Sequence, residues 1–159
     1  MKFPPPPHPS PSKPVFTPPP GACDAHVHVF GPSETFPYHP KTTYTPVDAP
    51  KDKLRALHGL LGFDRSVIVQ ATCHGTDNSA TLDAIASSNG RWRGVAIVDE
   101  EYTDKDFEAL HDGGIRGIRF SFARHLSGPP NFDRVHRIAE KIEGLGWHLV
   151  IYIEAEDIV

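Results

Sequence analysis

The stretch Cys23-Asp-Ala-His-Val-His-Val29 decides how this chain is read. Successive side chains on a β-strand face opposite ways, so a period of two sets Asp24, His26 and His28 on one face and Cys23, Val27 and Val29 on the other. An edge strand with one wet face could show the same alternation. These histidines, however, close the first strand, and a long loop opening on Gly31-Pro32 follows them. Polar groups at the C-terminal end of a barrel strand are where a (β/α)8 fold places its chemistry. Neutral imidazoles two apart on a strand can also share one cation, at about 2.0–2.1 Å per bond.

Outward from this strand the pattern repeats. Short apolar, β-rich runs at 22–29, 66–70, 94–98, 115–122 and 147–153 predict five strands. Helical periodicity lies between them. Over 50–61 Leu54, Leu57, Leu60 and Leu61 share a face, with Asp48 as N-cap and Pro50 in the first turn. Over 77–87 Leu82, Ile85 and Ala86 lie together, over 104–111 Phe107 and Leu110 do so before Gly113-Gly114, and over 132–143 Phe132, Val135, Ile138, Ala139 and Ile142 line one side. Strict strand-helix alternation implies right-handed crossovers and a parallel sheet. A five-stranded doubly wound sheet suits 159 residues. A barrel of this type usually needs about 250, so here it is expected as an α/β, TIM-barrel-type fold cut after about five strands.

Ten of the 17 prolines fall in residues 1–20, which read as a disordered polyproline II arm ahead of a domain over 21–159. Its PxxP spacing suits an SH3-type groove, although a solvated leader is the favoured reading. The arm holds Lys2 and Lys13 and no acid, leaving 14 Lys+Arg against 20 Asp+Glu in the rest, a net of −6. A mildly acidic domain gives no reason to expect nucleic acid or an anionic membrane as partner. The longest apolar run, Leu149-Val-Ile-Tyr-Ile153, is far short of the roughly 20 residues that span a bilayer. With no apolar segment ahead of the prolines to act as a secretory signal, the cytoplasm is expected, and Cys23 and Cys73 are expected as thiols.

In Gly117-Ile-Arg-Phe-Ser-Phe122 the alternation puts Arg119 on the polar face of an otherwise apolar strand. A buried guanidinium must meet a carboxylate, from Asp24, Asp99 or Glu154 of the protein or from a ligand. Tyr152 shares a face of the fifth strand with His148, Val150 and Glu154, where it either reaches the same mouth or packs. The loop Gln70-Ala-Thr-Cys-His-Gly-Thr-Asp-Asn78 leads into a helix, so Thr72 and the first helical N–H groups could hold an anion. His74 there is a ligand, an acid or plain polar surface. No G-x-S-x-G, P-loop or G-x-G-x-x-G occurs, which removes serine-elbow and nucleotide chemistry.

The segments DAHVHVFGP (24–32), VIVQATCHGTDN (67–78), GGIRGIRFSF (113–122) and GWHLVIYIEA (146–155) together resemble the 2-pyrone-4,6-dicarboxylate lactonase group of the amidohydrolase superfamily. The resemblance runs from about Phe16 to Val159. It implies a (β/α)8 barrel that opens a pyrone lactone by attack of water, in bacterial degradation of lignin-derived aromatics. It implies further that His26 and His28 polarise the lactone carbonyl or hold a single divalent ion, zinc or manganese, in a group where a metal is dispensable. Tyr44, Thr72, Arg119 and Tyr152 match positions that hold the dicarboxylate. A second base, Arg124 or its neighbour His125, joins them. Because Arg119 stands on the strand that carries a carboxylated lysine in binuclear relatives, a binuclear centre is not expected.

The family's later histidine and its strand-eight aspartate, the base for the attacking water, would lie beyond Val159. The chain alone is therefore expected to be inactive and to associate with itself through open barrel edges. Its expected ligand is a small anionic lactone or dicarboxylate, with a sugar-acid lactonase or isomerase as the neighbouring alternative.

Overall fold

The computed structural model describes residues 4–124, 126 and 131–158. Nine main elements follow in alternation: β1 (Cys23–Val27), α1 (Lys51–Leu61), β2 (Arg65–Val69), α2 (Ser79–Ala86), β3 (Trp92–Ala96), α3 (Asp104–Asp112), β4 (Ile115–Ser121), α4 (Phe132–Ile142) and β5 (His148–Tyr152). All five strands pair in parallel, in the spatial order β1-β2-β3-β4-β5.

That order excludes a doubly wound sheet, in which the strand order reverses and helices cover both faces. Here the helices lie on one face only. Ile68 and Trp92 pack against Leu54 of α1 and Ala80 and Ala84 of α2. Ala96, Ile118 and Phe120 pack against Ile85 of α2, Phe107 and Leu110 of α3, and Val135, Ile138 and Ile142 of α4. The pairings Ser66↔Trp92, Ile68↔Gly94 and Ala96↔Ile118 put all of these strand residues on the same side. The sheet is a curled half-barrel whose other face is its interior.

Two irregularities set which side chains reach that interior. Between the partners Asp24↔Ser66 and Val27↔Ile68, β1 uses three residues where β2 uses two, which is a β-bulge. Asp24 and Val27 therefore both face the helices, and His26 and His28 face the interior. The plain alternation expected for this strand fails at its first member: Asp24 does not share a face with the two histidines. Its carboxylate meets Nε2 of His58 on α1 at 3.1 Å. A second slip, Gly94↔Ile115 against Val95↔Gly117, lies at the start of β4. Beyond it Ile118, Phe120 and Phe122 are buried outward, as their alternation predicts.

The helix ends show how local sequence places the elements. Thr103 and Asp106 form a reciprocal capping box at α3, a cap worth about 1 kcal/mol. Gly62 closes α1 in the left-handed region at φ 85°. Asp48 does not cap α1; Pro50 is the N-cap residue. The Asp48 carboxylate accepts instead from the Ser33 N–H at 2.9 Å, the Ser33 hydroxyl and the Tyr38 hydroxyl at 2.7 Å, which folds the β1–α1 loop on itself. Nor does α1 bury the leucine stripe its periodicity suggests. Leu54 and His58, one turn apart, are its buried residues, while Leu57 is exposed. Phe132, counted on the apolar side of α4, is exposed too.

Residues 4–19 carry no helix or strand, and Pro6 to Pro11 line a groove beside Leu54, Leu57 and Leu60 of α1. Among the described residues no helix is long and apolar enough to cross a membrane. Both cysteines are free thiols.

Candidate active site

Arg119 is the centre of the interior face. It stands mid-way along β4, level with Val150 of β5, and is only 9% exposed. Its Nη1 donates to the Gln70 carbonyl at 3.3 Å, and its guanidinium lies over the Tyr152 ring, 5.5 Å from the centroid. Among the described residues none of Asp24, Asp99 or Glu154 forms an ion pair with it, and its Nε is buried with no hydrogen-bond partner. Burial pushes its pKa down, against the opposing pull of Tyr44 and Tyr152. A guanidinium remains charged under such a shift, so the protein holds an incompletely satisfied cation in its interior.

Gln70 fixes the carbonyl that Arg119 uses. Fully buried at the end of β2, it accepts from the Thr81 hydroxyl at 2.6 Å and donates to the carbonyls of Asp77 at 2.7 Å and Gly75 at 3.3 Å. No role for Gln70 follows from motif reasoning. The available signal was a lone amide ending the apolar run Val67-Ile-Val69.

His26 and His28 meet edge to face, with centroids 5.2 Å apart. Nδ1 of His28 lies 2.7 Å from the Val69 carbonyl. A carbonyl only accepts, so Nδ1 carries the proton and Nε2 presents a lone pair. Burial and then the Arg119 charge lower the pKa of His26, outweighing Asp24. For His28 burial is again the main cause, joined by the charges of Arg119 and His26 against the Val69 hydrogen bond. Both imidazoles are thus held toward the neutral form.

Tyr44 arrives from the β1–α1 loop and Thr72 from a short 3-10 turn (Thr72–His74), and their hydroxyls meet at 3.1 Å. Burial raises the pKa of Tyr44, keeping it a phenol. Tyr152, beneath the Arg119 guanidinium, is 43% exposed. The structure therefore gathers His26, His28, Tyr44, Thr72 and Tyr152 around one cation, Arg119. Arg124 stands apart: it is exposed and donates to Asp157 at 3.2 Å. His125 lies outside the described residues.

Among the described residues no three histidine, cysteine, aspartate or glutamate side chains are grouped to hold a metal. A tetrahedral ion needs more than two imidazoles, and the bulge turns the obvious third ligand, Asp24, to the opposite face. Arg119 adds a like charge to the same patch. These residues by themselves do not fit a metal centre.

Residues 23–159 match the amidohydrolase family. The chain belongs to that family. It is 52% identical over 149 residues to a 2-pyrone-4,6-dicarboxylate hydrolase of Comamonas testosteroni, covering 94% of this chain and 49% of that protein. A 4-sulfomuconolactone hydrolase of Rhizobium radiobacter is 42% identical over 76% of this chain and 42% of its own length. Among solved structures, a probable 2-pyrone-4,6-dicarboxylic acid hydrolase from Acinetobacter baumannii with citric acid bound superimposes with a TM-score of 0.76 at 25% identity, over 86% of this chain and 51% of that one. This amidohydrolase chain spans about half the length of the relatives it matches. Amidohydrolases often use a metal, and nothing in these residues adds one here.

Proposed function

We propose that this chain forms the substrate-gripping part of the active site of a lactone hydrolase acting on 2-pyrone-4,6-dicarboxylate. The observation that carries this reading is Arg119, a buried guanidinium with a free Nε and no carboxylate paired to it among the described residues. A substrate carboxylate supplies the missing partner through a charge-assisted hydrogen bond. Tyr152 beneath the guanidinium holds its plane, and the Tyr44 and Thr72 hydroxyls orient the ligand beside it.

In the reaction, water oxygen adds to the lactone carbonyl carbon, the ring C–O bond breaks, and the proton lost by water ends on the ring oxygen. His28 presents an Nε2 lone pair to the interior, so in its neutral form it accepts a proton and cannot donate to the carbonyl. For His28 that narrows the role expected from resemblance, in which the two histidines polarise the carbonyl or hold a cation. A zinc or manganese ion, if bound, would find only His26 and His28 as ligands among these residues and would need the others from elsewhere. Arg124 serves as a second carboxylate contact only if it leaves Asp157. The outer edges of β1 and β5 have no strand partner among the described residues, and a further strand or a second copy pairs there.

The relatives point to a second reading with the same chemistry. Besides the pyrone hydrolase they include 4-sulfomuconolactone hydrolases and, at 28% identity, a D-galactarolactone isomerase of Agrobacterium fabrum. Calorimetric titration of the chain with 2-pyrone-4,6-dicarboxylate, neutral 2-pyrone and 4-sulfomuconolactone separates these readings. The proposal expects the dicarboxylate to bind, the sulfolactone to bind more weakly and the neutral pyrone not to bind. Equal affinity for the neutral pyrone, or no binding of either anion, would sink it.

A further inference from the structure

We propose that His74 is a positioning residue: as a neutral imidazole protonated on Nδ1, it pins the loop that carries Tyr44 to the turn that carries Thr72. The inference rests on the reading of Tyr44 and Thr72 as substrate-orienting residues, and it assigns a role to a histidine that the proposed chemistry does not use.

The contacts define the ring's state. His74 is 2% exposed, and its Nε2 accepts from the Gly31 N–H at 3.2 Å. A nitrogen that accepts carries no proton, so the proton of the neutral ring is on Nδ1, where the Pro37 carbonyl accepts it. One imidazole thus ties both ends of the segment between Gly31 and Pro37. The Tyr38 ring lies against it, 4.9 Å between centroids, and the Tyr38 hydroxyl goes on to Asp48. The next residue of the loop, His39, donates its N–H to the Cys73 carbonyl at 2.7 Å, and its ring occupies the space beside Gly75, where a Cβ would approach to 3.1 Å. Tyr44 lies only six residues after Tyr38 in the same loop, and its hydroxyl meets Thr72, two residues before His74. Through one ring, therefore, the turn that presents Thr72 sets the path of the loop that presents Tyr44.

The latch works in one protonation state. An imidazolium has two donors and no acceptor, so it loses the Gly31 contact. Burial lowers the His74 pKa, while the carboxylates facing it, Asp77 beyond the turn and Asp48 in the loop, pull the other way; burial prevails. The remaining titratable neighbours are the Tyr38 phenol, the Cys73 thiol and the His39 ring.

The test uses the 159-residue chain, isotope-labelled, with His74→Phe to keep a ring but remove the acceptor and His74→Gln to return an acceptor near the Nε2 position. In the wild type at pH 8 the His74 nitrogen spectrum should show the Nδ1-protonated tautomer, and the Gly31 amide should exchange slowly. His74→Phe should speed Gly31 exchange by about tenfold or more, the equivalent of one lost hydrogen bond, and shift the Tyr44 ring signals while the β2 and β4 amides stay protected. His74→Gln should reverse part of both changes. Acidification well below pH 6.5 should reproduce the Phe phenotype in the wild type. An Nε2-protonated tautomer, unchanged Gly31 exchange in His74→Phe, or loss of protection throughout the sheet would each overturn the proposal. If the wild type fails to bind 2-pyrone-4,6-dicarboxylate, the proposed function falls, and the latch is decided by Gly31 exchange and the Tyr44 signals alone. If the wild type binds, His74→Phe should weaken binding and His74→Gln should recover it.

Discussion

Asp24 and His58 meet at 3.1 Å on the helix side of β1, and the same carboxylate accepts from the His26 N–H at 3.3 Å inside the bulge. His58 is buried, and its Nδ1 has no partner among the described residues. Asp24→Ala removes the hydrogen bond on the other nitrogen and leaves an unsatisfied ring in the core, a cost of about 1–3 kcal/mol. Urea unfolding should show this as a lower midpoint with an unchanged slope, and Asp24→Asn should lose less. An Ala variant as stable as the wild type would show that the pair contributes nothing to the fold.

Arg119→Met tests the substrate grip. Removing a charge-assisted carboxylate contact of about 1.5–3 kcal/mol should weaken 2-pyrone-4,6-dicarboxylate binding roughly 10- to 150-fold. Melting should change little or rise, because no buried carboxylate is orphaned and an incompletely satisfied cation leaves the interior. A variant that melts much earlier yet binds the dicarboxylate normally would make Arg119 a structural residue.

Stability should fall on mild acidification. His28 and His74 have folded-state pKa values below the ordinary 6.5, chiefly because they are buried. Above pH 6.5 both states are neutral and the full stability is present; below it the unfolded chain takes up protons that the folded chain refuses. The loss approaches about 1.4 kcal/mol per pH unit for each imidazole until the folded pKa is passed. His26, more exposed, adds less. Chemical denaturation between pH 8 and 5 measures this, and a flat profile would contradict the burial of both rings.

The two thiols should differ sharply in reactivity. Cys23 is exposed, whereas Cys73 is fully buried and its thiol is pushed up to about 11 by burial. Iodoacetamide at pH 8 should label Cys23 alone in the native protein and both residues after unfolding. Native labelling of Cys73 at a similar rate would mean that the 72–75 turn opens readily.

Much of this architecture could be read from the chain. Each of the five strands lies within two residues of its expected bounds, since short apolar runs between turn residues have few other solutions in an alternating fold. The face of Arg119 was equally legible, because β4 alternates regularly from Gly117 onward. What periodicity could not show was phase. The β1 bulge has no composition of its own, so plain alternation puts Asp24 on the wrong side, and α1 buries His58 rather than Leu57 because a polar partner lies across the layer. Asp48 has the chemistry of a cap, but the donors of Ser33 and Tyr38 were nearer. The tautomer of His28 and the Gly31 contact of His74 depend on a carbonyl and an amide more than forty residues away, which no local pattern encodes.

The slip in β1 also decides which change of length this strand can absorb. Length changes in proteins are normally absorbed in loops, yet here one extra residue sits inside a five-residue strand and lets Asp24 and Val27 share the helix side. Deleting Ala25 would restore uniform pairing: Asp24 and Val27 would then stand two apart, so plain alternation keeps both toward the helices and His26 and His28 toward the interior. Ala25 retained without the slip would instead set Asp24 on the same face as both histidines, away from His58. The extra residue therefore acts through the backbone irregularity that houses it, a dependence that no substitution of a single side chain can stage.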